Sequence, residues 1–452
     1  MNILILGAGQ VGSELSEILA KVHDVTLIDI NQDKLQKISD HHDLRTICGN
    51  CCFPKTLEQA EIESVDLAVA MTQWDEVNMV ACQMIKHMNK KTKTMARIRA
   101  TQYLGGRGSE IFEAGDYSID VIISPENLIT DYITNLIKLP GAMQVLDFGN
   151  NLASMVQVKA TLGAPITGHK VSELRDHIPN SDTRVAAIYR DNDLIIPQGD
   201  DYIKHKDEVF FIAAKDNLKK VMSEIRDSDS KYKHIMIAGG GRIGRRVANA
   251  LESKFRVKVI ERNKERCIYL SEKLSKSLVL NGDTSDSELL EEENIDQVDM
   301  FCAVTNNDEA NVMSSLLAKK LGAKNVLTLV NKKRYRELIK SEDVEISIAP
   351  TLITIGVVLK NINGPNLANA YSFKGGEAEA LEIIVDKTKN KGIIDKFVEE
   401  IKLPIGCNLG AILSTNEVKI AHHDVKIHED DHIIIFLSDK KLFPALETSL
   451  MS

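Results

Sequence analysis

Residues Asn2–Asp29 read NILILGAGQVGSELSEILAKVHDVTLID, and this stretch decides the fold. Ile3–Leu6 is an uninterrupted apolar run, the mark of a parallel strand covered on both faces. Gly7-Ala8-Gly9-Gln10-Val11-Gly12 follows without a gap, and Val11, Leu15, Ile18 and Leu19 then recur at helical spacing. A second apolar run, Val25–Ile28, ends in Asp29. Strand, glycine turn, helix, strand and terminal acid in this order are the parts of a dinucleotide site. Gly7 permits the tight strand-to-helix turn, Gly9 has no side chain to hold a pyrophosphate off the backbone, and Gly12 lets the helix lie close on the sheet. The helix N-terminus offers free N–H groups and a positive dipole end to phosphates. Asp29 is an acceptor for ribose hydroxyls. The first candidate cleft therefore contains Gly7, Ala8, Gly9, Gln10, Val11 and Asp29.

The alternation continues. Leu44–Cys48 is a short strand ending at Gly49-Asn50, a turn expected near an adenosine. Val65–Met71 is an apolar strand, followed by Thr72-Gln73-Trp74-Asp75-Glu76-Val77-Asn78 and a helix to about Met88. Thr94–Ile98 carries Arg97, and Asp120–Ser124 closes the unit before Pro125. Such a rhythm predicts a parallel sheet with helices on both faces. Thr72 and Gln73 lie just past one strand end and Arg97 at the next, so all three join the candidate set. Arg97 suits a phosphate, with a rim salt bridge to Asp75 or Glu76 as the alternative.

Glu126–Leu139 reads as an amphipathic helix, after which the rhythm changes. Val145–Phe148, Ala153–Lys159, Arg184–Tyr189, Asp193–Ile196 and Glu208–Ala213 are short strands of a smaller α+β module that ends in a helix, Asp216–Ile225. Asp227–Lys231 is a polar linker. Then the pattern restarts: His234–Ala238, Gly239-Gly240-Gly241-Arg242-Ile243-Gly244, and Val257–Ile260 ending in Glu261. Gly239 follows Gly7, and Glu261 follows Asp29, at the same separation; Thr305–Asn311 repeats Thr72–Asn78, and Asp431–Ile435 repeats Asp207–Phe211. The internal duplication predicts two Rossmann-like doubly wound sheets, each followed by a small α+β module, with domains at 1–125, 126–230, 231–350 and 351–452. The second candidate cleft contains Gly239, Gly240, Gly241, Arg242, Ile243, Glu261, Thr305 and Asn306. Its fifth-strand region, Leu327–Asn331, has no arginine, so the clefts are not equivalent. Arg242, Arg245 and Arg246 surround the second glycine turn and are read as compensation, with a solvated helix face as the alternative for Arg245 and Arg246. Asp29 and Glu261 both disfavour a 2′-phosphate, which selects NAD or NADH over NADP.

Composition narrows the function. The 452 residues are 43% hydrophobic and 27% charged with net charge −9, ordinary for a globular protein and unsuited to general nucleic-acid binding. The longest uncharged apolar stretch, Ile346–Leu359, contains Pro350 and is shorter than the roughly 20 residues a membrane-spanning helix needs. Seven cysteines at irregular spacing read as reduced thiols. Cys48-x-x-Cys51 lies near His41 and His42, but no second Cys/His pair stands at structural zinc spacing, so no metal ligand is assigned. No phosphate-binding G-x-x-x-x-G-K-[ST] loop or G-x-S-x-G elbow occurs. His169, His177 and His205 of the first small module lack counterparts in the second beyond the scattered His422, His423 and His428. Histidines in such polar loops are read as solvated, no acid/base set assembles, and no catalytic residue is assigned.

Over essentially its whole length the chain resembles the TrkA-type peripheral subunits of Trk potassium-uptake systems, built of two RCK (KTN) units in tandem. The resemblance rests on GAGQVG (Gly7–Gly12), DLRTICGN (Asp43–Asn50), TQWDEVNMVACQ (Thr72–Gln83), ARIRATQYL (Ala96–Leu104), ISPENLITDYI (Ile123–Ile133) and PGAMQV (Pro140–Val145). DTRVAAIYR (Asp182–Arg190), GGGRIG (Gly239–Gly244), EEENIDQVD (Glu291–Asp299) and IKLPIGCNLGAI (Ile401–Ile412) extend it. It implies a cytosolic, peripheral, nucleotide-binding regulator in a homo-oligomeric ring, docked on a TrkH-type or TrkG-type membrane channel subunit. It also implies NAD or NADH and ATP or ADP as ligands whose exchange gates the pore. The sequence departs from its own repeat at Asn50 and Cys51-Cys52, which stand opposite Asp283 and Thr284-Ser285. An NAD-dependent oxidoreductase with tandem sites is the alternative.

Overall fold

The computed structural model describes residues 1–113, 117–179, 181–191, 193–226, 231–339, 343–362, 367–373, 378–414 and 417–451. Among them the strands form four sheets, grouped in two compact units. Most of the expected linker Asp227–Lys231 lies outside the described residues.

One unit comprises Met1–Asp131, Leu329–Arg336 and Ile348–Ile362. Its six-stranded parallel sheet has the order 3-2-1-4-5-6, counted along the chain. The strands are Asn2–Leu6, Asp24–Asp29, Arg45–Cys48, Leu67–Ala70, Lys93–Arg97 and Val121–Ile123. The order reverses between the first and fourth strands, and the carboxyl ends at such a switch point leave an open crevice. Ile3, Ile5, Leu27, Leu67 and Val69 are buried with Leu15 and Leu19 of the helix Gln10–Leu19 on one face, while Leu4, Leu6, Ala68 and Ala70 bury with Met79, Cys82 and Ile85 on the other. Alternate side chains of each apolar run thus meet different helices, which is why these strands are apolar throughout.

The apolar stretch that begins at Ile346 enters the helix Pro350–Ile362. Ile355, Val358 and Ile362 pack into the core that holds Leu15 and Leu19, and Lys93 Nζ reaches the Asn361 side chain at 3.1 Å. Its hydrophobic surface is covered by the first sheet's layer. No helix among the described residues is long and apolar enough to cross a membrane.

The other unit comprises Tyr132–Thr328, Glu337–Ser347 and Asn363–Ser452. It contains the strands His234–Ala238, Arg256–Glu261, Leu278–Asn281 and Met300–Ala303, joined by Val326–Leu329 and Ile346–Ile348 in the same 3-2-1-4-5-6 order as the first sheet. It also contains two five-stranded antiparallel modules. The first runs through Ala142–Phe148, Ala153–Lys159, Thr183–Arg190, Asp193–Ile195 and Glu208–Ala214; the second through Leu367–Phe373, Ala378–Ile384, Cys407–Ser414, Glu417–Ile420 and His432–Leu437. The expected helix Asp216–Ile225 is a 3-10 turn, Lys215–Asn217, followed by an α-helix, Leu218–Ile225.

The two small modules share one core. Phe148, Phe210, Ala186 and Ile212 of the first are buried with Ala380, Ala411, Ile434 and Phe436 of the second. Phe148 meets Tyr371 edge-on at 5.2 Å between centroids, an arrangement that suits the ring quadrupoles. Asn408 Nδ2 donates to the Ala186 carbonyl at 3.1 Å and Tyr371 Oη to the Asp147 carbonyl at 2.9 Å. The fully buried Glu382 accepts from the Gly149 N–H, from Asn369 Nδ2, and contacts His432 Nδ1 at 2.5 Å.

Burial alone would push the Glu382 carboxyl up, but the hydrogen bonds from His432, Asn369 and Gly149 overcome it and hold the carboxyl below its ordinary value. A depressed carboxyl contributes stability that is fully present above the unfolded-state pKa and fades as pH falls through the folded one. Glu382→Gln is expected to weaken the module pair by about 1.5–3 kcal/mol at neutral pH. The difference should shrink in acid, measured by denaturant unfolding of the full chain at both pH values.

Candidate functional site

Each glycine turn is built by the same contacts. Gly7 and Gly239 have φ of +106°, a conformation that favours glycine, and their N–H groups donate to the carbonyls of Ile28 and Ile260 at 2.7 and 2.9 Å. A Cβ on Gly12 would lie 1.9 Å from the Gly7 carbonyl oxygen, and one on Gly244 1.9 Å from that of Gly239. Helix and strand therefore touch through backbone. Gly9 and Gly241 are different: a Cβ on either meets no atom within 4 Å. Open space lies over the backbone where a pyrophosphate must approach. The helices that start there, Gln10–Leu19 and Arg242–Leu251, have no side-chain cap and no acidic residue in the first turn. Their terminal donors and positive dipole ends face that space without a competing carboxylate.

The acid at each second strand end is fixed from two sides. Asp29 Oδ2 accepts from the Ala8 N–H at 2.6 Å and Oδ1 from the Asn31 N–H at 2.8 Å. Glu261 does the same with Gly240 (2.9 Å) and Asn263 (2.8 Å). A carboxylate has about four acceptor positions, so two backbone bonds leave capacity for ribose hydroxyls. The residue two places on completes the turn: Asn31 and Asn263 cap the next helices through the N–H groups of Lys34 and Arg266. These donor and acceptor groups fit a dinucleotide: Gly7–Val11 or Gly239–Ile243 would hold its pyrophosphate, and Asp29 or Glu261 its ribose.

Across each crevice a fully buried asparagine organises the opposite wall. Asn78 Oδ1 accepts from the Thr72 N–H (3.0 Å) and hydroxyl (2.7 Å), while Nδ2 donates to the carbonyls of Arg97 (2.8 Å) and Thr72 (3.3 Å). Asn311 repeats the clasp on Thr305, with 2.9 Å to its N–H and 2.6 Å from its hydroxyl. Thr72 and Thr305 thus turn their hydroxyls to the asparagine and shape the loop, and Gln73 and Asn306 are exposed. Arg97 Nη2 donates to the Thr72 carbonyl. Asp75 accepts from the N–H groups of Arg99 and Ala100 at 2.9 and 2.8 Å. Arg99 Nε reaches the buried Glu126 carboxylate at 2.6 Å, at the start of the helix Pro125–Lys138. The corresponding start of Pro350–Ile362 is pinned by Asn331 Oδ1, which accepts from the Thr351 hydroxyl at 2.9 Å.

The clefts differ in their cations. Strand pairing sets Ala70 beside Ala96 and Ala303 beside Thr328, which puts Leu329 where the first sheet has Arg97. Arg242 is exposed and Arg245 and Arg246 are half-buried. Arg266 Nε donates to the Gly240 carbonyl at 2.8 Å, and its guanidinium lies 4.7 Å from the Tyr269 ring centroid. Asn78, Asn311, Asn31, Asn263 and Arg266 were not singled out by the sequence reading. The D-x-N and E-x-N spacing and the recurrence of Asn at the end of the Thr72–Asn78 segment were the available signals.

The third-strand turns tolerate their divergence. Asn50 Oδ1 accepts from the Cys52 N–H and Asp283 Oδ1 from the Ser285 N–H, both at 2.9 Å. Cys51 is buried in the core beside Leu57 and Ala60. The half-buried Cys52 thiol lies against the Val77 carbonyl, 3.5 Å away.

Tandem Rossmann-type sheets, each with an open glycine turn and an acid at the second strand, define a duplicated dinucleotide-binding protein. The TrkA-N domain family matches residues 3–125 and 235–350, and the TrkA-C domain family residues 155–226. The chain is 45% identical over 443 residues to the Trk system potassium uptake protein TrkA of Halomonas elongata, covering 98% of this chain and 96% of that one. It is 42% identical over 450 residues to the protein of the same name from Vibrio alginolyticus, covering 99% and 98%. This chain belongs to the TrkA family. Its fold is also similar to that of the GsuK channel bound to NAD, with a TM-score of 0.62 at 14% identity over 99% of this chain and 78% of the channel chain.

Gly9 and Gly12 should separate binding from folding. Gly9→Ala is expected to leave the thermal midpoint nearly unchanged while weakening NADH binding by tenfold or more, roughly the cost of losing a charge-assisted contact. Gly12→Ala is expected to lower stability by about 1–3 kcal/mol or more through overpacking. Calorimetric titration and thermal unfolding of the two variants check the pair.

Proposed function

We propose that this chain is the nucleotide-sensing subunit of a Trk-type potassium-uptake system, acting from the cytosolic face on a separate membrane channel subunit of the TrkH or TrkG type. The observation that carries the reading is the pair of open glycine turns, each opposite an acid-bearing strand end. Full-length likeness to proteins named for potassium uptake supports the transport role, and those names denote uptake proteins rather than catalysts. The domains are read as 1–125, 126–230, 231–350 and 351–452, with a homo-oligomeric ring as the working assembly.

In this reading Gly7, Ala8, Gly9, Gln10, Val11 and Asp29 bind an adenine nucleotide in the first cleft, with Thr72, Gln73 and Arg97 on the opposite wall. Gly239, Gly240, Gly241, Arg242, Ile243 and Glu261, with Thr305 and Asn306, do so in the second. NAD or NADH suits both acids, since neither accommodates a 2′-phosphate. ATP or ADP suits the first cleft better because Arg97 lies on its wall. A nucleotide shifts the channel only by binding one state of the regulator more tightly than the other. The contact chain Asn78–Arg97 and Asp75–Arg99–Glu126 is the route by which the first cleft would bias the helix Pro125–Lys138.

Two outcomes follow. Arg97→Ala is expected to weaken ATP and ADP in the first cleft about tenfold, the weight of one charge-assisted phosphate contact, and to spare NADH more. Titration in a background carrying Gly241→Val, which blocks the second cleft, reads that difference. Purified protein added to the cytosolic side of proteoliposomes holding the channel subunit should change potassium flux in a nucleotide-dependent way. Gly9→Val with Gly241→Val should still bind the channel and lose that dependence. Flux indifferent to nucleotide would overturn the reading.

A further inference from the structure

Two of the histidines read from the sequence as solvated are brought together in the first small module. Gly168-His169 follows a turn whose backbone is tied down by Gly168 N–H to the Ile203 carbonyl (2.7 Å) and Ile166 N–H to the Glu224 carbonyl (3.0 Å). The chain then enters a 3-10 turn, Val171–Glu173, and a short helix, Leu174–His177, anchored by the buried Leu174. This places His169, Glu173 and His177 on one side at successive intervals of four. Their imidazole rings lie 5.7 Å apart in an edge-on arrangement. One ring nitrogen of each histidine and one carboxylate oxygen of Glu173 all lie within 4.8 Å of one another. His169 Nδ1 is 2.8 Å from Glu173 Oε2, and His177 Nδ1 is 3.1 Å from Glu224 Oε2 on the helix Leu218–Ile225.

We propose that His169, Glu173 and His177 form a binding site for a zinc ion, with Glu224 orienting His177. Two imidazoles and a carboxylate are a zinc donor set, with water in the fourth position. Tetrahedral zinc with bonds of about 2.0–2.1 Å separates its ligand atoms by about 3.3 Å, so side-chain adjustments within the cluster suffice to admit the ion. Glu224 on His177 is the carboxylate–imidazole pairing that fixes ring orientation in metal sites. Zinc entry would replace the contact between His169 and Glu173, since metal ligands bind in their deprotonated forms.

Among the described residues the cluster occurs in the first small module and not in the second. The turn at Lys170–Glu173 recurs as Phe397–Glu400, each with a glutamate bonded back to the first residue's N–H. At that register Lys396 replaces His169 and Pro404 replaces His177. A zinc ion here would tie the 169–177 segment within the first module only, adding to the differences between the two halves.

The test is zinc and cobalt titration of the untagged full chain in competition with a chromogenic chelator. Wild type is expected to bind one more equivalent than His169→Ala/His177→Ala, and that equivalent of cobalt should show tetrahedral d–d bands without a sulfur charge-transfer band. Glu173→Gln, at a half-exposed position, should retain the fold and weaken the same equivalent about tenfold or more. It serves as the readout if the double variant does not fold. Equal metal stoichiometry and affinity in wild type and Glu173→Gln, or a sulfur charge-transfer band on the equivalent in question, would overturn the proposal.

Discussion

The structure of each cleft depends on one hydrogen bond: a carboxylate at the end of the second strand accepting from the second amide of the glycine turn. Asp29 holds Ala8, and Glu261 holds Gly240. The bond closes the strand–turn–helix–strand unit at the point where the backbone leaves regular structure, so the helix N-terminus cannot swing away from the sheet. The same carboxylate is bonded to the residue just before the open Gly9 or Gly241. A group that stabilises the apo turn is thereby also the group proposed to select the ribose. Its second backbone bond, to Asn31 or Asn263, keeps both oxygens from rotating out of register.

Duplication preserved that core and let the walls diverge. The Asn78 and Asn311 clasps are nearly superposable in their partners, because a loop joining a buried strand to a helix leaves polar backbone groups that must be satisfied. The cations are not preserved. One half has an arginine at its fifth strand end, where the other has Leu329, and the second half instead brings Arg266 to its glycine turn from a helix. Arg97 comes from a strand end that carries Leu329 in the second half, and Arg266 stands where the first half has Lys34. This is a structural basis for unequal nucleotide preference without any change in fold. The small modules diverged similarly: their shared core is conserved in kind, while the histidine–glutamate cluster occupies one of them.

Both parallel sheets, their glycine turns and their terminal acids were legible in the sequence because doubly covered strands must be apolar and a close turn must be glycine. The strand edges shifted by a residue or two, as with Val65–Met71, observed as Leu67–Ala70. Most strands of the second small module were not read, since polar residues interrupt the apolar pattern of Leu367–Phe373 and Cys407–Ser414: Asn369 and Ser414 bond within the module, to Glu382 and Asp431, while Tyr371 and Asn408 bond to the first module. Asn408 looks like a surface residue in sequence, yet its amide is buried against the Ala186 carbonyl. The side-chain clasps were invisible for another reason. Asn78 meets Arg97 across 19 residues of chain and Asp75 meets Arg99 across 24, and no local pattern records which strand end a helix will face. His169 and His177 were discounted because spacing of eight residues means little until a 3-10 turn and a short helix put them on one side.

Hydrogen–deuterium exchange of the full chain, with and without saturating NADH, tests the central claim most directly. The N–H groups at both helix starts are proposed to hold the pyrophosphate, so their amides must be shielded when nucleotide is present. The account predicts slowed exchange in peptides covering Gly7–Glu14 and Gly239–Arg246. Exchange unchanged in both glycine turns while NADH is bound to the protein would contradict it.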